Sequence, residues 1–297
     1  MEKNFSFMAF AKGKQVTEFK PTPKYIGVGS VFVKGVNVNK AEYQDLFGYT
    51  PDEEPSYTSE QDINGTKYPA ARISFVVKTD PEKNNGIDFT TTINFFLRKQ
   101  YRQGSQSGKY QIIDKYGRTG WATREEIEAK KIPMYSNGPA NIDADYRPCY
   151  VGEEELTNFI KVYIGIPDVQ IYKDGKWVAN PDVNSEDCVA RLDNIDKYFT
   201  GDFSELKEIC TYQPENKIKA LFGVRTTDEG SQYQAVFTQR FLGANARSTA
   251  RLEKELNDRK AAGAYATTEF KICDLEEYVI TPTEFTQDTA GDALPWT

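Results

Sequence analysis

The chain has 297 residues, of which 39% are hydrophobic and 13% aromatic, with 37 Lys and Arg against 44 Asp and Glu. This composition excludes a wholly disordered chain, and no apolar stretch reaches the about 20 residues of a membrane-spanning helix. Histidine, the commonest general base and metal ligand, is absent from the chain. We therefore expect a non-enzymatic protein without catalytic residues, metal or other cofactors, although carboxylates with Mg²⁺ leave an enzymatic alternative open.

The N-terminal residues Met1 to Phe5 lack the apolar core of a signal peptide. The four cysteines, Cys149, Cys188, Cys210 and Cys273, are far apart and contain no C-x-x-C pair. Reduced core thiols are expected from this spacing. Both observations predict a cytoplasmic protein that has no membrane contact.

Residues 1–23 form a basic, Phe-containing segment ahead of the first predicted strand. Such a segment is typical of an arm that wraps DNA or a neighbouring subunit, and equally of a strand added to a sheet. From Lys24 to Val38, apolar residues alternate with glycines. This pattern predicts a long strand that bends at its glycines, or two short strands joined by a Gly turn.

The next segments have clearer patterns. Ala41 to Phe47 predicts one or two helical turns, and the polar stretch Thr50 to Pro69 an exposed loop. Ala71 to Thr79 and Ile87 to Lys99 are rich in Thr, Val, Ile and Phe, which predicts two strands joined by a turn over Asp80 to Gly86.

Residues 94–124 interleave seven positive side chains with aromatic rings and contain one acid. This composition predicts a basic aromatic hairpin, in which cations contact phosphates and rings stack on unpaired bases at about 1 to 3 kcal/mol each. The alternative is that about half of the rings face the core. The cations of this hairpin are Arg98, Lys99, Arg102, Lys109, Lys115, Arg118 and Arg124.

Residues 124–210 are predicted to form a helical insertion, with Thr123 as a cap and periodic helices over Glu153 to Ile164 and Ser185 to Phe199. The aspartates between Asp182 and Asp202 match no metal-binding motif, so we interpret them as a solvated helix face.

Strands return over Lys217 to Thr226 and Gln232 to Leu242, where Arg225 and Arg240 repeat the basic aromatic pattern more weakly. Ala246 to Ala262 predicts a charged helix, and Glu269 to Cys273 a short strand. Residues 274–297 hold six acids and no Lys or Arg, so the first 273 residues carry 37 positive against 38 negative side chains. This acidic segment predicts a disordered interaction tail, or simply a solubilising terminus.

The predicted organisation resembles that of phage single-stranded DNA-binding proteins. The shared features are a bent Gly-containing strand, a basic aromatic hairpin, a helical insertion, two closing strands and an acidic tail with an apolar tip. Segments such as YQIIDKYGRTGW and IPMYSNGPANID resemble proteins of crAss-like phages. The resemblance implies a β-rich α+β fold: an OB-like, five-stranded Greek-key barrel over residues 24–123 and 211–273, elaborated by the insertion 124–210.

The resemblance also implies a role in DNA replication, recombination and repair, inside the host cell. Its implied partners are single-stranded DNA, and replication and recombination proteins that the tail recruits; oligomeric state is left open. Implied stacking residues are Phe96, Tyr101, Tyr110, Tyr116 and Trp121, and implied tail contacts are Asp292, Leu294, Pro295 and Trp296. Two alternatives remain: a virion structural or assembly protein, and a carboxylate-metal nuclease.

Overall fold

The computed structural model describes residues 26–79, 88, 90–104, 108–131, 142–143, 145–212, 218–227, 229–230, 232–238, 240–243, 246, 248–263 and 268–269. Within these residues the strands are β1 (Gly27–Val36), β2 (Thr58–Ile63), β3 (Thr66–Thr79), β4 (Thr90–Tyr101), β5 (Lys109–Asp114), β6 (Thr119–Thr123), β7 (Tyr146–Pro148), β8 (Tyr150–Val151), β9 (Gln170–Lys173), β10 (Lys176–Ala179), β11 (Ile218–Thr226), β12 (Gln232–Val236), β13 (Leu242–Gly243) and β14 (Thr268–Glu269). The helices are α1 (Lys40–Phe47), α2 (Arg124–Glu128), α3 (Glu153–Ile164), α4 (Ile195–Tyr198), α5 (Ser204–Tyr212) and α6 (Ala250–Ala261), with a 3₁₀ helix over Ser185–Cys188.

The protein is β-rich and centres on a curled antiparallel sheet that forms a half-barrel. Its strands follow the order β12-β11-β1-β3-β4-β8, with β2 paired to β3, and with β13 and β14 paired to β11. Strands β12 and β4, which are not hydrogen-bonded to each other, also come into contact because of the curl. Two smaller sheets, β6-β5-β7 and β10-β9, complete the strands of the described residues.

Strand β1 joins the two halves of this sheet. Its first half pairs with β11 from Gly27↔Phe222 to Val31↔Ile218, and its second half pairs with β3. The register shifts between Val33 and Gly35, as expected for a bulge that bends the strand. Of the two alternatives for residues 24–38, the single bent strand is the one observed.

The concave side of the sheet is filled by helices. Apolar side chains of β1, β3, β4 and β11 pack against α3, α4 and α5 in one continuous cluster. Phe75, Phe95 and Phe159 form its centre, with ring centroids 4.5 to 5.8 Å apart. Each of these rings buries a large apolar area, so this aromatic centre is a main source of stability.

Two smaller clusters lie outside this core. On the convex side, Leu252 and Leu256 of α6 cover Val28 and Leu221. The three-stranded sheet β6-β5-β7 has its own cluster, which includes Ile112 and Tyr146. Both faces of the main sheet are therefore packed near β1 and β11.

The prediction of an exposed loop over Thr50 to Pro69 is wrong, because this stretch contains β2 and the start of β3. The two strands are joined by Asn64 and Gly65, with φ of 53° and 82°. Consecutive positive φ angles at Asn-Gly are the signature of a type I′ hairpin turn. Strand β2 carries mostly polar residues because, among the described strands, it pairs only with β3, and because it is largely exposed.

The predicted helix over Ser185 to Phe199 is also wrong as a continuous element. A 3₁₀ turn and α4 form at its ends, but the backbone N–H groups of Ala190 and Arg191 both donate to the Lys115 carbonyl, at 2.9 and 3.2 Å. These long-range bonds replace intrahelical ones, so the chain is extended between the two helical turns.

Residues 94–124 turn back at the predicted linker, where Gln103 and Tyr110 form an antiparallel bridge, but the two arms lie in different sheets. Strand β4 belongs to the main sheet, whereas β5 pairs with β6 and β7 in the small sheet. The segment 124–210, predicted to be a helical insertion, contributes β7 to the small sheet and β8 to the edge of β4. Its helix α3 and the Thr123 cap of α2 form as predicted.

Helices α1 and α6 and strands β3, β4 and β11 also confirm their predictions, with end positions shifted by up to five residues. The strand predicted over Gln232 to Leu242 is shorter and ends at Val236. The arm 1–23, the turn 80–86, the end of the last predicted strand and the tail 274–297 lie outside the described residues. None of the helices described is both long enough and apolar enough to cross a bilayer.

Candidate functional site

An open cleft of about 400 Å³ lies where β4 ends, between the main sheet and the small sheet. Four of its lining residues are tyrosines, and the others are one lysine and two glutamines. Its lining residues are Tyr68, Lys99, Gln100, Tyr101, Gln103, Tyr110 and Tyr150. This group is called the tyrosine cleft below.

Two of its rings are stacked because of strand pairing. Tyr101, the last residue of β4, pairs in register with Tyr150, the first residue of β8. Their ring centroids are 5.2 Å apart and their planes differ by 7°. Tyr150 also packs against Phe199, a core residue, with ring centroids 5.6 Å apart and planes at 89°. Tyr101 therefore rests on a ring that is anchored in the core, while 46% of Tyr101 is exposed.

Tyr110 enters the cleft through the connection between β4 and β5. The backbone N–H of Gln111 donates to the Arg102 carbonyl at 2.8 Å, and Gln103 forms a single bridge with Tyr110. These bonds place the start of β5 beside the end of β4. Two tyrosines that are nine positions apart, Tyr101 and Tyr110, consequently line one cleft.

A small polar cluster lies at the rim. The Tyr150 hydroxyl donates to Oδ1 of Asp196 at 3.1 Å, and Lys99 Nζ lies 3.1 Å from the same oxygen. Burial, reinforced by the Asp196 charge, raises the pKa of Tyr150 well above its usual value, so the phenol stays neutral and acts as a donor. The Lys99–Asp196 pair is solvent-exposed, and such pairs open at little cost.

Five of the seven predicted hairpin cations form ion pairs within the protein, and Arg118 is the most buried of the five. Arg102 Nη1 lies 3.2 Å from Glu154 and 3.3 Å from Glu155, in the first turn of α3. Glu154 also accepts hydrogen bonds from Gln111 at 2.6 Å and from Thr119 at 2.9 Å. Arg102 is thus held in a polar network and does not line the cleft.

Arg118 is bound still more closely. Its guanidinium lies 2.6 Å from the Asp114 carboxylate, where the side chains are 11% and 0% exposed, and it also donates to Gln170 at 2.9 Å. Arg118 and Lys115 both lie over the Tyr116 ring, at 5.1 and 5.0 Å. Tyr116 itself is only 7% exposed. The prediction that Tyr116 and Arg118 face a ligand is wrong, since both are structural.

The remaining predicted residues are dispersed. Lys115 lies 3.8 Å from Asp143. Phe96 is 63% exposed, but it points outward between buried Phe95 and Leu97 and is not part of the cleft. Arg98 donates to Gln100 and Gln61. Lys109 and Trp121 are half-buried on β5 and β6 and do not line the cleft.

Arg225 and Arg240 lie elsewhere on the molecule. Arg225 is exposed on β11, opposite Tyr233 and separated from β4 by two strands of the sheet. Arg240 is near Glu255, at 3.9 Å. The tail residues Asp292, Leu294, Pro295 and Trp296 fall outside the described residues. Of the residues predicted from sequence, Lys99, Tyr101 and Tyr110 are therefore the ones brought together.

Sequence reasoning missed Tyr68, Gln100, Gln103 and Tyr150. Tyr68 lies in the stretch wrongly predicted as a loop, where the Asn-Gly dipeptide was the available turn signal. Tyr150 has no local signal, because its position depends on the pairing of β8 with β4.

Comparison of the chain with protein-family models, with curated proteins and with solved structures found no match.

Proposed function

We propose that this protein binds single-stranded DNA without sequence preference, as a non-enzymatic component of replication or recombination. The observation that carries the proposal is the tyrosine cleft, where the exposed Tyr101 ring, three half-buried tyrosine rings and Lys99 surround one open space. Bases stack on tyrosine faces whatever their sequence, and a neighbouring cation contacts the phosphates.

Within the cleft, each residue has a distinct role. Tyr101 offers an exposed ring surface, because Tyr150 and Phe199 support it from one side. Tyr68 and Tyr110 provide further half-buried rings. Lys99 exchanges its exposed Asp196 partner for a phosphate, since the two anions compete for one ammonium group.

An OB-like barrel is part of the same proposal. It is supported by the bent first strand, which pairs with different strands along its two halves, and by the curl of the sheet. Five-stranded OB barrels bind oligonucleotides with a strand face and its adjoining loops. The cleft at the end of β4, beside the β4–β5 connection, is a comparable position.

Because Arg102 and Arg118 are paired internally, few cations near the cleft remain to contact phosphates among the residues that the structure describes. Lys99 is in the cleft, and Lys109 is close by on β5. Each phosphate contact contributes about −0.7 to the slope of log K against log salt for a single strand. We expect a shallow slope of about −1 to −2, with stacking contributing most of the affinity. The acidic tail, residues 274–297, is proposed to compete for these cations and to recruit partner proteins.

The test is fluorescence anisotropy of a labelled dT oligonucleotide, compared with duplex DNA and RNA of equal length, at several salt concentrations. Tyr101→Ala is expected to weaken dT binding about 5- to 150-fold, as for one stacked base. The matched control is Tyr172→Ala, which removes a ring that is 64% exposed on β9, away from the cleft. Control and wild-type proteins are expected to bind alike.

Two results would overturn the proposal. One is unchanged dT binding by Tyr101→Ala. The other is the absence of dT binding at low salt even after residues 274–297 are removed. If the protein then also forms a stable homo-oligomer, the alternative function as a virion component would be favoured.

A further inference from the structure

A second aromatic surface lies on α1, separate from the tyrosine cleft. Tyr43 and Phe47 stack at a centroid distance of 4.8 Å, and Tyr49 lies 5.8 and 6.1 Å from these two rings. No residue of α1 is buried, and Tyr49 is 50% exposed. Tyr43 and Phe47 are half-buried. A group of aromatic rings that stays partly exposed to water is a typical mark of an interaction surface.

This surface is strongly acidic. Residues 39–57 contain five acids and one base, Lys40, and all five acids are exposed. None of them forms an ion pair with another residue that the structure describes. The five are Glu42, Asp45, Asp52, Glu53 and Glu54. We call the three rings and these acids the α1 patch.

A segment of complementary character is present in the same chain. Residues 1–23 hold four lysines against Glu2 and Glu18, a net charge of +2 from side chains, whereas residues 39–57 carry −4. Three phenylalanines, Phe5, Phe7 and Phe10, are clustered near the start of this segment. Its charge and its aromatic residues both suit the α1 patch.

The geometry allows contact within one molecule. Strand β1 has 10 residues and is thus about 33 Å long, and α1 begins shortly after its far end. Leu46 of α1 lies near Gly35 at that end, which fixes the helix there. Residues 16–25, when extended, can cover the length of β1 in the reverse direction. The phenylalanines and Lys12 and Lys14 would then arrive beside α1.

We propose that the α1 patch binds the basic N-terminal segment, residues 1–23, of the same chain. The segment is held by ring contacts with Tyr43, Phe47 and Tyr49 and by attraction to the surrounding carboxylates. This interaction is independent of the tyrosine cleft. It makes the N-terminal segment a partner of the protein surface, in place of an arm that wraps DNA.

The experiment places the photo-crosslinking residue benzoylphenylalanine at Tyr49 in the full-length chain. Light and ¹⁵N-labelled chains are mixed before irradiation, and crosslinked peptides are identified by mass spectrometry. We expect light–light and heavy–heavy crosslinks between position 49 and residues 1–23. Benzoylphenylalanine at Tyr172, another exposed position, is expected to give none.

Charge dependence is tested with Asp45→Asn, Asp52→Asn and Glu53→Gln combined, because these exposed side chains cap no helix. The combined variant is expected to lose at least half of the crosslink. A matched triple variant, Asp182→Asn, Glu186→Gln and Asp187→Asn, removes three exposed acids elsewhere and is expected to retain it.

Light–heavy crosslinks would show that the segment binds a second copy, which would overturn the intramolecular proposal. Absence of crosslinks at low salt, or equal yields in both triple variants, would also overturn it. DNA binding is not part of this readout, so the result is distinguishable from failure of the proposed function.

Discussion

Asp114 is a buried acidic residue that holds the turn between β5 and β6 together. Its carboxylate is fully buried and accepts hydrogen bonds from the backbone N–H groups of Tyr116, Arg118 and Asp143 at 3.0, 2.9 and 3.2 Å. Arg118 adds two guanidinium contacts at 2.7 and 2.6 Å. A buried carboxylate is tolerated only with such complete pairing. Arg118 therefore stabilises the turn between β5 and β6.

Arg118→Met is expected to lower the free energy of unfolding by about 3 kcal/mol, because the Asp114 charge would stay buried without its partner. Urea denaturation followed by circular dichroism measures the change. The control, Arg124→Met, breaks a pair whose side chains are 80% and 66% exposed, and it should cost less than about 0.5 kcal/mol. Similar small losses in both variants would show that Asp114 is not effectively buried.

Helix α3 is the element that links the core to the candidate site. It fills the concave face of the sheet with Leu156, Phe159 and Tyr163, and its first turn binds Arg102 through Glu154 and Glu155. Gly152 precedes the helix with φ of 88° and lies directly against β4. A Cβ at this position would be 2.0 Å from the Phe96 carbonyl oxygen. The close approach of α3 to β4 thus requires glycine here.

The prediction for this element is that Gly152→Ala lowers stability by about 3 kcal/mol, from the strained φ together with the clash against backbone. Gly165→Ala at the other end of α3 is the control. Gly165 has φ of 80°, but nothing lies within 4 Å of its Cβ position, so about 1 kcal/mol is expected. Equal losses, measured by urea denaturation, would mean that β4 and α3 separate easily.

The helices and strands that have a local sequence pattern could be predicted, but the elements that they pack against or pair with could not. Helices α1, α3 and α6 have periodic apolar residues, and β1 has alternating ones with glycines at its bend. The stack of Tyr101 on Tyr150 joins residues 49 positions apart, and the Arg102–Glu154 pair joins residues 52 apart. Neither contact has a local pattern. Tyr116 follows β5 in a turn, and no local pattern indicates that its ring is buried beneath Lys115 and Arg118.

Over the whole molecule, burial of ionisable groups sets a common response to alkaline pH. Burial raises the pKa of Cys210 to about 12, and burial is also the main reason why the pKa of Tyr163 is raised to about 12. The pKa of Cys149 is raised for the same reason. A free thiol has a pKa of about 8.5, so unfolding releases protons above that pH. The stability from these groups is complete below about pH 8.5 and declines as pH rises toward 12.

Cys210→Ala isolates one of these groups. Between about pH 7.5 and pH 10, the free energy of unfolding of the wild-type chain is expected to fall by about 2 kcal/mol more than that of the variant. Urea denaturation at both pH values, under reducing conditions, measures the difference. Parallel losses in the two proteins would show that the Cys210 thiolate is accommodated in the folded state.

The pairing of β1 with β11 also governs how the protein forms on the ribosome. Gly27 pairs with Phe222, so 195 further residues must be synthesised after Gly27 before its partner is present. At about 5 to 20 residues per second, one edge of β1 waits about 10 to 40 seconds for its neighbour. During that time the nascent chain exposes an unpaired edge lined with valines, which is a template for association with other chains. Slow initiation, low temperature or a chaperone that shields β1 is therefore expected to raise the yield of folded protein.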